Sequence, residues 1–188
     1  TISAEMAKVR DYVPDYAVMA HRGSTFWAPE ETESAWRWAR EMGADYLESD
    51  LQCTKDGVIL ANHDDNLKRT TNIENVYSEL VPATRKAFYM RHGMSEAEAE
   101  KLVAADKASF RPYYAMSYMY EELLALDAGS WFNETSIEQA RESFSEQHQY
   151  ISALEDQIRY AEGKMLARDA DGERIYLSLI HISEPTRP

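Results

Sequence analysis

The strongest fold signal in this chain lies in residues 45–64, which read D-Y-L-E-S-D-L-Q-C-T-K-D-G-V-I-L-A-N-H-D. Residues 45–54 alternate between apolar and polar side chains, a pattern that is typical of a β-strand. Residues 55–57, Lys-Asp-Gly, are a hairpin turn signal, because glycine adopts the backbone conformations that tight turns need. Residues 58–61 then predict a return strand, which ends at residues 62–64.

The segment before this hairpin completes a strand–helix–strand order. Residues 17–20, A-V-M-A, are a short apolar run that predicts a buried strand. Residues 31–42 place apolar side chains at helical spacing, and Gly43 supplies the left-handed residue that commonly ends a helix. This order predicts the start of a parallel α/β fold. In the helix, Trp38 is expected in the core, and Trp36 is expected to cover a surface or to line a rim.

Residues 77–149 depart from this pattern, since they are irregular, charged and rich in tyrosine and methionine. We interpret them as an insertion rather than as another α/β unit. Ser95 and Glu98 match a capping box, in which a serine and a glutamate three residues later bond to each other's backbone amides at a helix start. Ser152 and Glu155 match the same pattern and predict a helix after the insertion.

The composition narrows the classes of partner. The chain has 188 residues, which fits one domain, and its formal net charge is -13. This acidity argues against nucleic acid and against a polybasic membrane contact. The sequence holds no apolar run of about 18 residues, so no transmembrane segment is expected. Its single cysteine, Cys53, is expected to be a small buried residue. The oligomeric state and the compartment stay open, with periplasmic or secreted and cytoplasmic locations both compatible.

Two carboxylates offer the first chemical signal. Glu48 and Asp50 are two residues apart on a predicted strand, so their side chains share one face. If that face is buried, the two charges repel each other and are desolvated, and a hard divalent cation relieves both costs. From this spacing alone, a strand face that simply points to solvent is the simpler interpretation.

The hairpin strengthens the case for a site. It brings His63 level with about residue 49 or 50, next to the acidic pair, although the turn register decides the face. His21 ends the preceding parallel strand, and Arg22 follows it. Each histidine alone is equally well explained as a structural residue. Together, however, these side chains meet at the carboxyl ends of adjacent strands, where α/β barrels hold their sites. Histidines serve as general acid and base, and arginine binds phosphate.

Several short motifs, taken in this order, resemble the signature of the glycerophosphodiester phosphodiesterase family. They are H-R-G (21–23), P-E-E-T (29–32), G-A-D-Y-L-E-S-D (43–50), T-K-D-G (54–57), H-D (63–64) and L-K-R-T-T (67–71). Two later stretches, E-E-L-L-A-L-D-A-G-S-W-F (121–132) and I-S-A-L-E-D-Q-I (151–158), are similar to the end of that family's insertion and to its next helix.

The resemblance implies a (β/α)8 barrel with an insertion after the second strand. It implies cleavage of small-molecule glycerophosphodiesters to an alcohol and glycerol 3-phosphate, with Ca²⁺ or Mg²⁺ as the one divalent cofactor. Carried over by motif, His21 and His63 are the acid and base, and Arg22 binds the phosphoryl oxygens. Glu48 and Asp50 are then the metal ligands. Glu30 would line the site.

The chain departs from the family pattern at two places. Glu31 stands where the family usually has asparagine, and it either adds charge near the metal or faces solvent in the first helical turn. The family's third acidic metal ligand comes from a later strand that has no counterpart here. A full barrel takes about 250 residues. We therefore expect residues 1–176 to be the N-terminal portion of an incomplete barrel.

Residues 177–188 read L-S-L-I-H-I-S-E-P-T-R-P and resemble a translated sequencing adaptor. They are expected to be a non-native tail. Two other functions compete with the hydrolase. One is a non-enzymatic fragment or degenerate domain that binds a phosphodiester or nothing. The other is a sphingomyelinase D-like lyase, and the presence of the insertion argues against it. An anionic substrate also has to overcome the acidic charge of the chain, which a metal ion and an arginine can do locally.

Overall fold

A computed structural model describes residues 3–12, 16–168 and 174–178 of this chain. The strands are β1 (Met19–His21), β2 (Tyr46–Glu48), β3 (Leu51–Cys53), β4 (Ile59–Ala61), β5 (Lys164–Arg168) and β6 (Arg174–Ser178). The α-helices are α1 (Ala4–Tyr12), α2 (Glu33–Glu41), α3 (Ile73–Val76), α4 (Arg85–Arg91), α5 (Glu96–Ser109), α6 (Tyr120–Leu123), α7 (Ser130–Thr135), α8 (Ser143–Glu146) and α9 (Leu154–Ala161). Two short 3-10 helices span Ala115–Ser117 and Ile137–Gln139. Every helix in the described ranges is too short or too polar to cross a lipid bilayer.

The strand predicted over residues 45–54 is two strands. β2 pairs in parallel with β1, and β3 pairs antiparallel with β4, as the hairpin signal predicts. The ladder is interrupted at Asp50, whose backbone N–H donates to a side-chain oxygen of Glu31 at 2.7 Å instead of to a strand. The hairpin register holds across the interruption, because the N–H of Asn62 donates to the carbonyl of Asp50 at 2.9 Å.

β1 is not the buried strand that its apolar sequence predicts. Val18 and Met19 are 59% and 63% exposed. Among the described residues β1 is hydrogen-bonded to β2 alone, so it is an edge strand and not a central one. An apolar run therefore identifies a strand here but does not establish that the strand is covered.

α2 turns a different tryptophan inward from the one we expected. Trp36 is fully buried and its ring lies 6.2 Å from that of Tyr160 on α9. Trp38 is exposed and stacks on Trp27 at 5.9 Å. The physical reason is that α9 packs against α2 and selects the buried face of the helix.

The insertion and the hairpin share one buried apolar core. It draws Ala115, Tyr118, Leu123, Leu126 and Ala128 from the insertion, and Leu60, Leu67, Ile73 and Ile151 from the residues on either side of it. The predicted capping box at Ser95 and Glu98 is confirmed, since the serine hydroxyl accepts from the Glu98 N–H and the glutamate accepts from the Ser95 N–H. The turn at residues 54–57 is held by the insertion, because the N–H of Lys55 donates to the Tyr118 carbonyl at 2.9 Å.

A buried charge network also joins the insertion to that turn. The Arg85 guanidinium donates to both carboxylate oxygens of Glu122, at 2.9 and 2.8 Å, and to Asp106 at 2.6 Å. Asp106 in turn forms an ion pair of 2.8 Å with Lys55. Because Arg85 is fully buried, these bonds offset the cost of removing its charge from water.

The helix after the insertion begins one residue later than its sequence predicts. The expected cap of Ser152 and Glu155 is wrong. α9 begins at Leu154 with Ala153 as N-cap, and the Ala153 N–H donates to the carboxylate of Asp156 at 2.7 Å. Ser152 is unavailable as a cap because its carbonyl accepts from the N–H of Ala61, which keeps the chain extended there.

The boundaries of the insertion and of the expected tail stay predictions. Most of that tail, residues 179–188, lies outside the described residues. Its first two residues, Leu177 and Ser178, end β6 and pair with Met165 and Lys164.

Candidate active site

The candidate site is built where β1 and β2 end. His21 is the last residue of β1 and lies opposite Glu48, the last residue of β2. The chain then turns sharply, since Arg22 and Gly23 both adopt left-handed backbone, with φ of 57° and 87°. A side chain at Gly23 would come within 2.8 Å of the Ala35 backbone, so glycine is required for the close approach to α2. The N–H of Arg22 donates to Glu48 at 3.0 Å, which ties the turn to β2.

Three of the predicted site residues form a compact group. One nitrogen of His21 and one carboxylate oxygen each of Glu48 and Asp50 lie within 4.8 Å of one another. Oxygen ligands bind Ca²⁺ at about 2.3–2.6 Å, so two ligands of one ion lie at most about 5 Å apart. The Oδ2 atom of Asp50 is buried and has no hydrogen-bond partner among the described residues. Two carboxylates, one of them with an unsatisfied oxygen, fit a hard divalent cation.

Arg22 lies between two of the acidic side chains. Its Nη1 donates to Glu30 Oε1 at 3.4 Å, and its Nε approaches Asp50 Oδ2 to 3.2 Å. The second contact has the distance of an ion pair but not the alignment of a hydrogen bond, which leaves both atoms unsatisfied. The guanidinium is therefore held beside the carboxylate group, and arginine is a side chain that binds anionic phosphoryl oxygens.

Glu31 faces the site. Of the two alternatives that the sequence left open for this residue, exposure to solvent in the first helical turn is therefore wrong. It is 4% exposed, and its Oε1 accepts from the Asp50 N–H, while its Oε2 has no hydrogen-bond partner among the described residues. Burial raises the pKa of Glu31 to about 7, against the smaller lowering by the hydrogen bond from Asp50. Its φ of 55° is left-handed, a region where asparagine is better tolerated.

His63 lies outside the compact group and is joined to it through other side chains. Its Nδ1 bonds to Asp64 at 2.5 Å, and Asp64 accepts from Arg69 Nε at 2.6 Å. Arg69 donates to both oxygens of Glu30, at 3.1 and 2.6 Å. Sequence reasoning did not assign Asp64 and Arg69 to the site, although both lie in motifs, H-D and L-K-R-T-T, that carry the family resemblance.

Two further features lie apart from these contacts. Cys53 is exposed, not buried as expected, because β3 belongs to a hairpin whose outer face is open. A hollow of about 410 Å³ along α2 is lined by Ser34, Arg37, Trp38, Glu41 and Met42, and it includes none of the site residues. The titratable groups converge at the strand ends and not in this hollow.

The sequence comparisons identify one family. The profile of the "Glycerophosphoryl diester phosphodiesterase family" matches residues 21–186. A glycerophosphodiester phosphodiesterase of Bacillus subtilis (strain 168) is 31% identical over 126 residues, which are 67% of this chain and 30% of that protein. A glycerophosphoinositol inositolphosphodiesterase of Mus musculus is 28% identical over 160 residues, 82% of this chain and 24% of that protein. The chain thus spans about a quarter to a third of the length of these relatives.

A solved structure shows the fold. A phosphodiesterase of Oleispira antarctica, in complex with the product sn-glycerol-3-phosphate, aligns with a TM-score of 0.50 and 24% identity, over 81% of this chain and 42% of that one. The described strands and helices are thus part of a (β/α)8 barrel. The class is that of (β/α)8 barrels with a metal-compatible acidic group at the strand ends. The chain belongs to the glycerophosphoryl diester phosphodiesterase family.

Proposed function

We propose that the protein to which this chain belongs hydrolyses glycerophosphodiesters to an alcohol and glycerol 3-phosphate with the aid of one divalent cation. The observation that carries the proposal is the convergence of His21, Glu48 and Asp50 within 4.8 Å, beside Arg22, in a chain of this family. Metal, phosphate-binding and proton-transfer groups are the three components that phosphodiester hydrolysis needs.

Glu48 and Asp50 would hold the cation, because carboxylate oxygens are the ligands that Ca²⁺ and Mg²⁺ prefer. Once bound, the cation supplies positive charge that neutralises the phosphoryl oxygens. Arg22 would bind those oxygens as well, and its contacts with Glu30 and Asp50 keep it oriented towards the site.

His21 and His63 would carry the proton transfers. One imidazole accepts the proton of the nucleophile, either water or a substrate hydroxyl, as the nucleophile's oxygen bonds to phosphorus. The bond between phosphorus and the leaving oxygen breaks, and the other imidazole donates a proton to that oxygen. The side chain of His21 is 69% exposed, which is compatible with direct contact to a substrate.

The test is an assay for glycerol 3-phosphate released from glycerophosphodiesters by the full-length protein, with added Ca²⁺ or Mg²⁺ and with EDTA. We expect EDTA to stop release, and His21→Ala or His63→Ala to lower turnover by about 10²- to 10⁴-fold. His148→Ala, which removes an exposed histidine outside the site, is the matched control. Full activity in EDTA would refute the metal role, and unchanged turnover in either site variant would refute the histidine assignment.

A second candidate function, binding without turnover, applies to the 188-residue chain itself. It is favoured by the position of His63, which lies outside the compact group of His21, Glu48 and Asp50. Calorimetry with Ca²⁺ and glycerol 3-phosphate distinguishes the two functions. Metal-dependent binding of glycerol 3-phosphate with no product release supports the binding domain, and release of product rules it out. A cyclic phosphate product instead would indicate a sphingomyelinase D-like lyase.

A further inference from the structure

We propose that Asp64 and Arg69 are positioning residues for His63. Asp64 accepts a hydrogen bond from the Nδ1–H group of His63 and so selects the imidazole tautomer whose Nε2 is free to take a proton. Arg69 fixes the Asp64 carboxylate and links it through Glu30 to Arg22. This inference rests on the proposed function, because it assigns His63 a role in proton transfer.

The first step concerns the direction of the hydrogen bond between His63 and Asp64. An ionised carboxylate is an acceptor only, so Nδ1 of the imidazole has to be the donor. Arg69 makes the ionised form the stable one, since its hydrogen bond to Asp64 holds the pKa of that carboxyl below its ordinary value, with smaller contributions from His63. A neutral histidine with its proton on Nδ1 has its lone pair on Nε2.

The second step is that this contact is not simply a consequence of sequence adjacency. Neighbouring side chains point to opposite faces of an extended strand, so His63 and Asp64 meet only because the chain bends after β4. The bend is held from both sides. The side-chain amide of Asn62 donates to the backbone carbonyl of Asp64 at 2.6 Å, and the side-chain amide of Gln52 donates to the backbone carbonyl of His63 at 3.0 Å.

The third step is the connection to the phosphate-binding arginine. Glu30 accepts two hydrogen bonds from Arg69 and one from Arg22, so a single carboxylate bridges two guanidiniums. The side chain of Glu30 is 12% exposed, which limits screening of these charges by solvent. The bridge sets the position of His63 relative to Arg22 although the two side chains lie on different loops.

The test is long-range ¹H–¹⁵N NMR of the ¹⁵N-labelled full-length protein at a pH where imidazoles are neutral, with the His63 signals assigned by His63→Gln. We expect Nδ1 of His63 to carry the proton. In Asp64→Asn the amide can donate to Nδ1, and we expect most of the population to move to the Nε2–H tautomer, as a wrong-tautomer substitution does elsewhere. Arg69→Gln should give a smaller shift in the same direction.

Lys68→Gln is the matched control, because it removes the adjacent positive charge, which pairs with Glu74 and not with the network. An unchanged tautomer in Asp64→Asn, or an equal shift in Lys68→Gln and Arg69→Gln, would overturn the proposal. If Arg69→Gln does not fold, Asp64→Asn still decides it. A full-length protein that shows the expected tautomers but releases no glycerol 3-phosphate supports the positioning role and counts only against the proposed hydrolase.

Discussion

At the scale of single residues, the main departure from the family pattern is Glu31. The buried glutamate accepts the Asp50 N–H and adds a carboxylate beside an already acidic group. Asparagine can make the same hydrogen bond without charge and tolerates the left-handed backbone at φ 55° better. The effect of Glu31 on the free energy of unfolding can therefore be measured separately from the chemistry of the site.

Substitution of Glu31 tests this effect through its pH dependence. Burial raises the pKa of Glu31 from 4.5 to about 7. As far as this carboxyl is concerned, the folded chain is therefore most stable at low pH, where the group is protonated, and it loses that part of its stability as pH rises through 7 and the carboxyl ionises. In EDTA, Glu31→Gln should raise the thermal midpoint at pH 8, equivalent to about 1–3 kcal/mol, and have little effect at pH 4.5 or below. Glu31→Asn should raise it at least as much.

Glu41→Gln, which removes an exposed carboxyl of α2, is the control for this pair. A midpoint difference between Glu31→Gln and the parent chain that stays constant from pH 4.5 to 8 would show that a buried carboxylate is not the cause.

At the scale of elements, the contact that matters most is the one between the insertion and the β3–β4 turn. The turn presents Lys55 and Asp56 to the insertion, where Lys55 pairs with Asp106 and Asp56 accepts the Tyr120 N–H at 2.9 Å. The T-K-D-G motif is therefore both a hairpin signal and an anchor. Its second role is not visible in the turn sequence, because the partners lie more than fifty residues away.

Removal of Arg85 should loosen this anchor. Arg85→Met leaves Glu122 and Asp106 buried without their main cationic partner, a loss of about 3–5 kcal/mol. We expect hydrogen exchange of the α4 and α5 amides to become about 10²- to 10³-fold faster. Arg91→Met, on the same helix, removes an exposed pair with Glu121 and should cost about 0–1 kcal/mol. Equal exchange in the two variants would contradict a structural role for the buried network.

At the scale of the whole molecule, the strands that carry the site are left partly uncovered beside a closed core. The core that the insertion and the hairpin share contains fully buried side chains such as Tyr118 and Leu123. By contrast, apolar side chains of the strands and their flanks are open to solvent, namely Val18, Met19, Tyr46, Leu51 and Ile59. Uncovered strands of this kind favour association and weaken cooperative folding.

We therefore expect the isolated 188-residue chain to unfold over a broad temperature range and to bind a hydrophobic dye such as ANS before it melts. Calorimetry and dye fluorescence check this directly. A sharp transition with equal calorimetric and van't Hoff enthalpies, and no dye binding by the native chain, would be evidence for a well-covered fold instead.

The sequence by itself was sufficient for what depends on neighbouring residues. The hairpin at residues 54–57, the capping box at Ser95 and the parallel order of β1 and β2 are confirmed, because turn chemistry, caps and periodicity act within a few residues. Ordered short motifs also led to the correct family. The roles of His21, His63, Arg22, Glu48 and Asp50 stay predictions that rest on this resemblance.

Only the tertiary structure decided which faces are covered and which distant groups meet. α9 selected Trp36 for burial, the bond from Ala61 to Ser152 moved the start of α9, and the bond from Asp50 to Glu31 divided the predicted strand. It also joined Arg69 to Glu30, thirty-nine residues apart in sequence. Burial and long-range hydrogen bonds depend on which elements pack together, and no local pattern in the sequence carries that information.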